Sequence, residues 1–572
     1  MKPNIFRYRI SENNRRMFSM SNIKRSIVTI LVLMIFFTGY SQEMIRKEVR
    51  VVQPYAPTLF DAFKINLLPS LKDTMQLSPD FIYEISPKPY SAEYSIRPIK
   101  AAKLLDDPLT KLYGTYLKMG LGNSLTPLAE LSINKKRSKE YSLGAYARHI
   151  SSSCKVKLEN EKKVFAGYGN DEFGLYGKRI WDNSILSGSA GMDNRSVYYY
   201  GYNTTLVVDT ALEKEAIKQN FLKLNAQLVY RSSYIDSNHL NYNIQVKYNY
   251  FADKFNYTEN NVFTYGEFSL LRENILFGVD FSYNYIDETG DLLTSKNSII
   301  GLSPWFKKKT SEWRLKAGVD AVFDVNDDKT STHLYPDALL QIAVVDNILS
   351  AYIGISGNLE VNNFQKIAWE NPYVKSGVQV RNSNHKLNMH GGLNGNINSL
   401  SSYKLRVSYK LVNDMYFYVN DTSDILGNQF YTEYDDVQLT TIHGEILARP
   451  VDHLSLFLSG SYYKYAMTNQ DRPWHKPAWD LTVSTRYNLR DKILVNVDII
   501  GSGKRYVKLY DPWASESVLN GIIDINLGIE YRYTKILSAF LRFYNITSSR
   551  YQKWNQYPGQ GFMVMGGITY SL

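Results

Sequence analysis

The 572-residue sequence has a single cysteine, Cys154. One thiol excludes both a disulfide framework and a thiolate metal site within the chain, and nothing nearby in sequence supplies a base to activate it. Histidine is also sparse: His149, His239, His333, His385, His390, His443, His453 and His475 do not cluster. The nearest pair, His385 and His390, is five residues apart, a spacing that does not put both on one face of a strand. No Gly-rich phosphate loop is present. After residue 42 there is no run of 18 apolar residues, so a membrane-spanning helix is not expected in the mature chain. The formal net charge is +11, but little of it belongs to the body of the protein. Residues 1–41 hold seven of the 66 basic residues and one of the 55 acidic ones, leaving 59 against 54. So thin an excess is no nucleic-acid footprint, and nucleic-acid binding is not expected.

Lys24-Arg25 precede the apolar run Ile27–Phe37, and small and polar residues follow it. That order is that of a cleaved signal peptide over 1–41, with Met17 or Met20 as alternative starts and the cut between Ser41 and Gln42. The run is about eleven residues long, too short for a spanning helix. Residues 42–110 differ in kind. They carry eight of the 18 prolines, Pro54, Pro57, Pro69, Pro79, Pro87, Pro89, Pro98 and Pro108, and read as an extended periplasmic segment with polyproline character.

From residue 111 to 572 the dominant signal is strict alternation, in a chain holding 46 Tyr and 34 Gly. In 241–250, Tyr242, Ile244, Val246, Tyr248 and Tyr250 alternate with Asn241, Asn243, Gln245, Lys247 and Asn249. The same pattern recurs in 403–411, 479–490 and 523–533. A period of two gives each strand one apolar and one wet face. Soluble sandwiches share that pattern, but their strands average five or six residues, whereas these runs reach the nine to eleven that a membrane crossing needs. Charge throughout the second face suits a water-filled lumen, and Tyr or Trp near the strand ends suits interfacial girdles. Tight polar turns fall near residues 137, 183, 235, 273, 309, 346, 400, 451, 491 and 535. Ten such turns with both termini on their side imply about 22 strands, with 18 to 22 as the range. The expected fold is thus all-β: a large antiparallel transmembrane barrel whose first strand is Tyr113–Leu121 and whose last is Phe562–Leu572.

Longer loops are expected at the opposite end, at Ser152–Asp171, Val207–Lys218, Asp287–Lys296, Phe364–Asn384, Asp414–Glu433, Met467–Pro477, Tyr506–Val518 and Thr547–Gln560. Any recognition outside the cell falls to them and to the lumen. Asp435-Asp436 reads as a solvated turn, with calcium binding as the alternative. Barrel enzymes set Ser, His and an acid on neighbouring strands; no motif points to that here, and neither an enzyme nor a cofactor is expected.

The last 36 residues, Leu537–Leu572, place Asn545-Ile546, Tyr551, Tyr557-Pro558 and Gly561 ahead of a final strand in which Gly567, Tyr570 and Leu572 are spaced Gly-x-x-aromatic-x-apolar. This stretch resembles the C-terminal end of TonB-dependent outer-membrane receptors, with Leu where Phe is usual. The resemblance implies a lipid-embedded outer-membrane barrel that passes or takes up a solute, with TonB as a periplasmic partner. Glu48, Val49, Val51 and Val52 loosely resemble the box that engages that partner, although Arg50 interrupts it. The family's plug needs well over a hundred residues ahead of the barrel, and only about 70 separate Gln42 from the first strand. A full plug is therefore not expected. A plugless barrel that wide needs another seal: the Pro-rich segment, inward loops or another protein. A barrel kept sealed by a partner is the second expectation: a structural subunit of an envelope assembly or secretion complex, docking partners through residues 42–110.

Overall fold

The computed structural model describes residues 113–572, apart from 136–137, 203, 205–212, 235–238, 292–293, 327–328, 424–425 and 512–513. The signal peptide with Ser41 and Gln42, the segment 42–110 and the box candidate Glu48, Val49, Val51 and Val52 lie outside the described residues.

Twenty-two antiparallel strands, from Thr115–Gly122 to Met563–Ser571, form one closed sheet. Each pairs with its sequence neighbour, and the last returns to the first in the register Tyr116↔Ser571, Met119↔Ile568, Gly120↔Gly567 and Gly122↔Met565. The expected closure is therefore present, at the upper end of the strand range and offset by one or two residues. Eight of the ten short turns lie wholly within the described residues and occur where the polar clusters place them; those near 137 and 235 run into residues outside that description. Most strands hold 10 to 16 residues, enough to cross hydrocarbon. Among the described residues no helix is long and apolar enough to do so, which bears on helices alone.

The alternation sorts the wall into two surfaces. Leu143, Leu228, Ile353 and Ile523 are more than half exposed and face outward, where lipid covers them. Between them, ionic side chains face the lumen and pair across strands: Arg148 with Glu130 and Glu172, each at 3.2 Å, and Lys223 with Asp193 at 3.4 Å. Tyr570 and Leu572 lie on the outward surface of the closing strand. Gly567 is glycine for a steric reason. A Cβ there would fall 2.1 Å from Met119 O and 2.6 Å from both Gly120 Cα and the Phe540 ring. Phe540 lies on the lumen side of the seam, and only two facing glycines let its ring settle there.

The loop end departs from expectation in four places. The strand Ser401–Asn420 bulges at Asp414, where φ is 53°, and continues to Asn420, so the connection shrinks to 421–429. Past the bulge Tyr416 and Tyr418 enter one apolar cluster and Phe417 and Val419 another. With both faces covered the alternation disappears, and the run no longer looks like a strand. The connection expected at Val207–Lys218 begins at Tyr199, immediately after the strand Ser184–Tyr198. Strands also run into Asp287–Lys296 from both sides, as far as Thr289 and from Thr294. Asp435 is not a solvated turn. It is buried in the strand Phe430–Val451, and its carboxylate accepts from Thr468 N, Asn469 N, Asn469 Nδ2 and Gln470 N at 2.9 to 3.1 Å, clamping the next loop.

Candidate functional site at the closed mouth

The lumen should be wide, yet its loop end is filled. Connections 153–167, 361–382 and 545–562 meet in one aromatic core, joined by Tyr199, Tyr200, Tyr202 and Ile217 after the fifth strand, by Leu426 and by the His475 ring. Among the described residues there is no separate plug domain; the loops themselves make the seal. Contacts between elements far apart around the wall require the chain to cross the lumen. Tyr199 follows the fifth wall strand and donates its hydroxyl to Val374 O, between the thirteenth and fourteenth, at 3.1 Å. Tyr200 donates to Pro558 O at 2.8 Å, and Asn428 Nδ2 donates to Tyr199 O at 3.1 Å. Tyr557 packs edge-on to Tyr200, stacks on Tyr373 and donates its own hydroxyl to Asn428 O.

The centre of the seal is a short helix, Phe364–Glu370. Asn363 caps it by accepting from Lys366 N at 3.1 Å, and Phe364, Ile367 and Ala368 fall on one buried face by helical spacing. Phe364 is fully buried against Phe251 and Tyr257 of the wall. The first-turn N–H groups, which a helix cannot satisfy internally, point at wall carboxylates. Gln365 N donates to Glu259 at 3.1 Å, Asn363 Nδ2 donates to the same carboxylate, and Phe364 N donates to Glu288. Glu259 and Glu288 face each other across two paired strands and are both buried. The far end is held by charge and by a backbone carbonyl. Lys476 donates to Glu370 at 3.0 Å, Tyr416 donates to its other oxygen at 2.7 Å, and Arg195 donates to Trp369 O at 3.0 Å. Burial pushes the Glu370 carboxyl up, but Lys476 and the two phenols of Tyr416 and Tyr418 outweigh it and hold it below the ordinary range.

His475 sits fully enclosed among Phe430, Trp554 and Tyr418. Its Nδ1 lies 2.8 Å from Tyr418 O, which can only accept, so Nδ1 carries the proton. Asn555 N points at Nε2 from 3.3 Å and can only donate, so Nε2 is bare. The ring is neutral, and burial depresses its pKa to about 4.

Below the seal the lumen stays polar. Lys404, Glu445, His443 and Ser461 form one chain of contacts, and Arg486, Asp498, Asn526 and Arg542 line a cavity of about 740 Å³ toward the short turns. Cys154 is free, half-buried against the loop core, and burial raises its pKa. Among the described residues no group of three His, Cys, Asp or Glu is placed to hold a metal.

Of the residues singled out in the sequence, Gly567, Tyr570 and Leu572 meet at the seam, far from this site. Inward loops are among the expected seals, but the residues that build this one are not singled out by the sequence. Its signals were the tyrosine run Tyr198-Tyr199-Tyr200 with Tyr202, the unalternating Tyr416-Phe417-Tyr418-Val419, and the Asn363 cap ahead of a helical triplet.

No family model matches the sequence, and no curated relative matches it either. Solved structures do match. The ferric-catecholate import receptor Fiu from Escherichia coli K12 aligns with 80% of this chain and 82% of its own at 9% identity and a TM-score of 0.61. The FrpB iron transporter from Neisseria meningitidis aligns with 81% and 82% at 13% identity and 0.60. The siderophore receptor PirA from Acinetobacter baumannii aligns with 82% and 81% at 8% identity and 0.62. The barrel is similar in fold to the barrels of these receptors. At these identities the likeness is one of fold: a closed 22-stranded antiparallel barrel, whose connections here meet across the lumen at one end.

Proposed function

We propose that this protein takes up a solute across the outer membrane through its lumen, with the loop seal as the gate. The observation that carries this reading is the construction of the seal. A buried aromatic core across the mouth is incompatible with a permanently open pore, while the polar lumen beneath it is built for a hydrated passenger. The neighbours in fold are an import receptor, an iron transporter and a siderophore receptor, and a metal chelate is the solute class that this company favours. Energised opening would come from TonB engaging Glu48, Val49, Val51 and Val52, in an N-terminal segment, 42–110, that lies in the periplasm below a signal cut at Ser41-Gln42.

Conductance of the purified full-length protein in planar bilayers tests the gate. A silent barrel that opens in steps once the seal is weakened supports uptake; large steady steps from the wild type overturn it. Co-purification with TonB, lost in a Glu48→Ala/Val49→Ala variant, tests the energised form. The same seal favours a second reading. A barrel that closes itself is suited to act as a structural subunit of an envelope assembly, docking partners through residues 42–110. A fixed stoichiometric partner retained through purification, with no solute-dependent opening, would favour that alternative.

A further inference from the structure

On the outer surface of the wall, at its loop end, three side chains stand in a relation that neither a gate nor a lumen requires. His149 Nδ1 lies 2.6 Å from Asp171 Oδ1, and His149 Nε2 lies 3.1 Å from Ser151 Oγ. The carboxylate can only accept, so it fixes the proton on Nδ1 and leaves Nε2 free to accept from the serine hydroxyl. The strands Tyr141–Ser152 and Tyr168–Ile180 produce this by simple register: His149 opposes Asp171, and His149 and Ser151 are two apart on one face. That face is the outward one. Leu143, Phe173 and Leu175 share it and are exposed, while the intervening Arg148 and Glu172 pair in the lumen.

A polar row on a lipid-facing wall is what needs explaining. Asn194 donates to the second oxygen of Asp171 at 3.4 Å and accepts from Asn220 at 2.8 Å, and Ser196 donates to Asn220 at 2.8 Å. The row begins two residues above Phe173, about 7 Å along the strand, where the exposed apolar side chains of this face give way to polar ones. Ser151 opposes Gly169, which opposes Ser196. A Cβ on Gly169 would meet Ser196 Cβ at 3.8 Å, Ser151 Cβ at 3.9 Å and Ser196 Oγ at 4.0 Å, all ordinary contacts, so the glycine leaves a shallow notch beside the serine. The His149 and Asp171 side chains are nearly half exposed and within reach of a ligand. The lumen also holds a Ser–His–acid contact, His443 with Ser461 and Glu445, but there Lys404 joins the same carboxylate and a wet channel accounts for the polarity.

We propose that Ser151 and His149 are the catalytic pair of an ester hydrolase, positioned by Asp171, whose substrate is an acyl ester of a membrane lipid in the outer leaflet. Ser151 Oγ attacks the ester carbonyl carbon as His149 Nε2 takes the hydroxyl proton. Asp171 stays ionised and steadies the imidazolium. The tetrahedral adduct collapses as the bond to the alcohol oxygen breaks and His149 returns the proton to that oxygen. Water then attacks the acyl-serine with the same base, releasing the carboxylic acid and restoring Ser151. Ester and water become acid and alcohol, with no cofactor.

The test uses full-length protein in detergent with mixed micelles of a diacyl phosphatidylcholine, soluble p-nitrophenyl butyrate and a fluorophosphonate label. Fatty-acid release from the micelles and a label mapped to Ser151 are expected. Ser151→Ala should abolish both while keeping the heat-modifiable mobility of a folded barrel. Asp171→Asn should lower kcat about 10³- to 10⁴-fold with KM unchanged, a split that general loosening would not give. Absence of release and of label in the wild type overturns the proposal, as does release that survives Ser151→Ala. Hydrolysis of the soluble ester with no fatty acid from the micelles overturns the lipid as substrate.

Discussion

The wall and the seal use the same residues, tyrosine above all, under different rules. In the wall each tyrosine is one beat of a two-residue period, and its neighbours in space are set by register alone. In the seal the tyrosines are consecutive or nearly so, both faces of the chain are covered, and the partners lie hundreds of residues away: Tyr200 and Pro558 are separated by 358. The wall is a repeated local solution, so a single altered side chain is diluted among many strand pairs. The seal is assembled once, from six connections, and each large side chain in it is close to indispensable.

Four substitutions or conditions would break or sharpen this contrast. The largest effect is expected at the one place where the wall is not redundant, its seam. Gly567→Val sets a branched side chain against Met119 O and the Gly120 backbone, and no folded, heat-modifiable barrel should be recovered by electrophoresis. Next comes the seal: Phe364→Ala removes a fully buried ring, a change worth about 3–5 kcal/mol, and should leave the barrel folded but convert a silent channel to a conducting one in planar bilayers.

Acid should act in the same direction and less strongly. His475 has a pKa of about 4 in the closed seal and an ordinary value near 6.5 once released, so the open form binds the extra proton between those values. The contribution of the neutral ring is complete above about pH 6.5 and falls away as the pH drops toward 4. At pH 5 the closed form should be weaker by about 2 kcal/mol, and Glu370, whose carboxyl is also held low, adds to the loss with the same sign. Conductance against pH measures it, and a His475→Gln variant should flatten the curve. Smallest is Arg179→Ala. It removes one exposed wall pair with Glu140 at the short-turn end, and should cost under about 1 kcal/mol by denaturant titration.

The same contrast explains what could be read from the sequence. Strand number, turn positions and closure follow from periodicity and turn chemistry, which are local, and the eight fully described short turns sit where Arg272-Glu273-Asn274, Asp346-Asn347 and their counterparts predict. The seal follows from none of these. Phe364, His475, Trp554 and Tyr557 meet only after the sheet has closed, and nothing near each in sequence names the others. Asp435 misled for a related reason: an acidic pair reads as solvated unless the loop that covers it, 468–478, is known to fold back. Ser151, His149 and Asp171 lie between. Two of them are adjacent on a legible face, but the third needs the register of a hairpin.

Because the mouth is closed by contacts between the fifth strand and the last hairpin, it cannot form before the cylinder does. A chain inserting into the membrane must therefore pass through a stage in which the tube is complete and unstoppered. How long that stage lasts sets the leak that a cell tolerates for every copy it makes, and a Tyr200→Ala/Tyr557→Ala variant, whose last strand is intact, would prolong it.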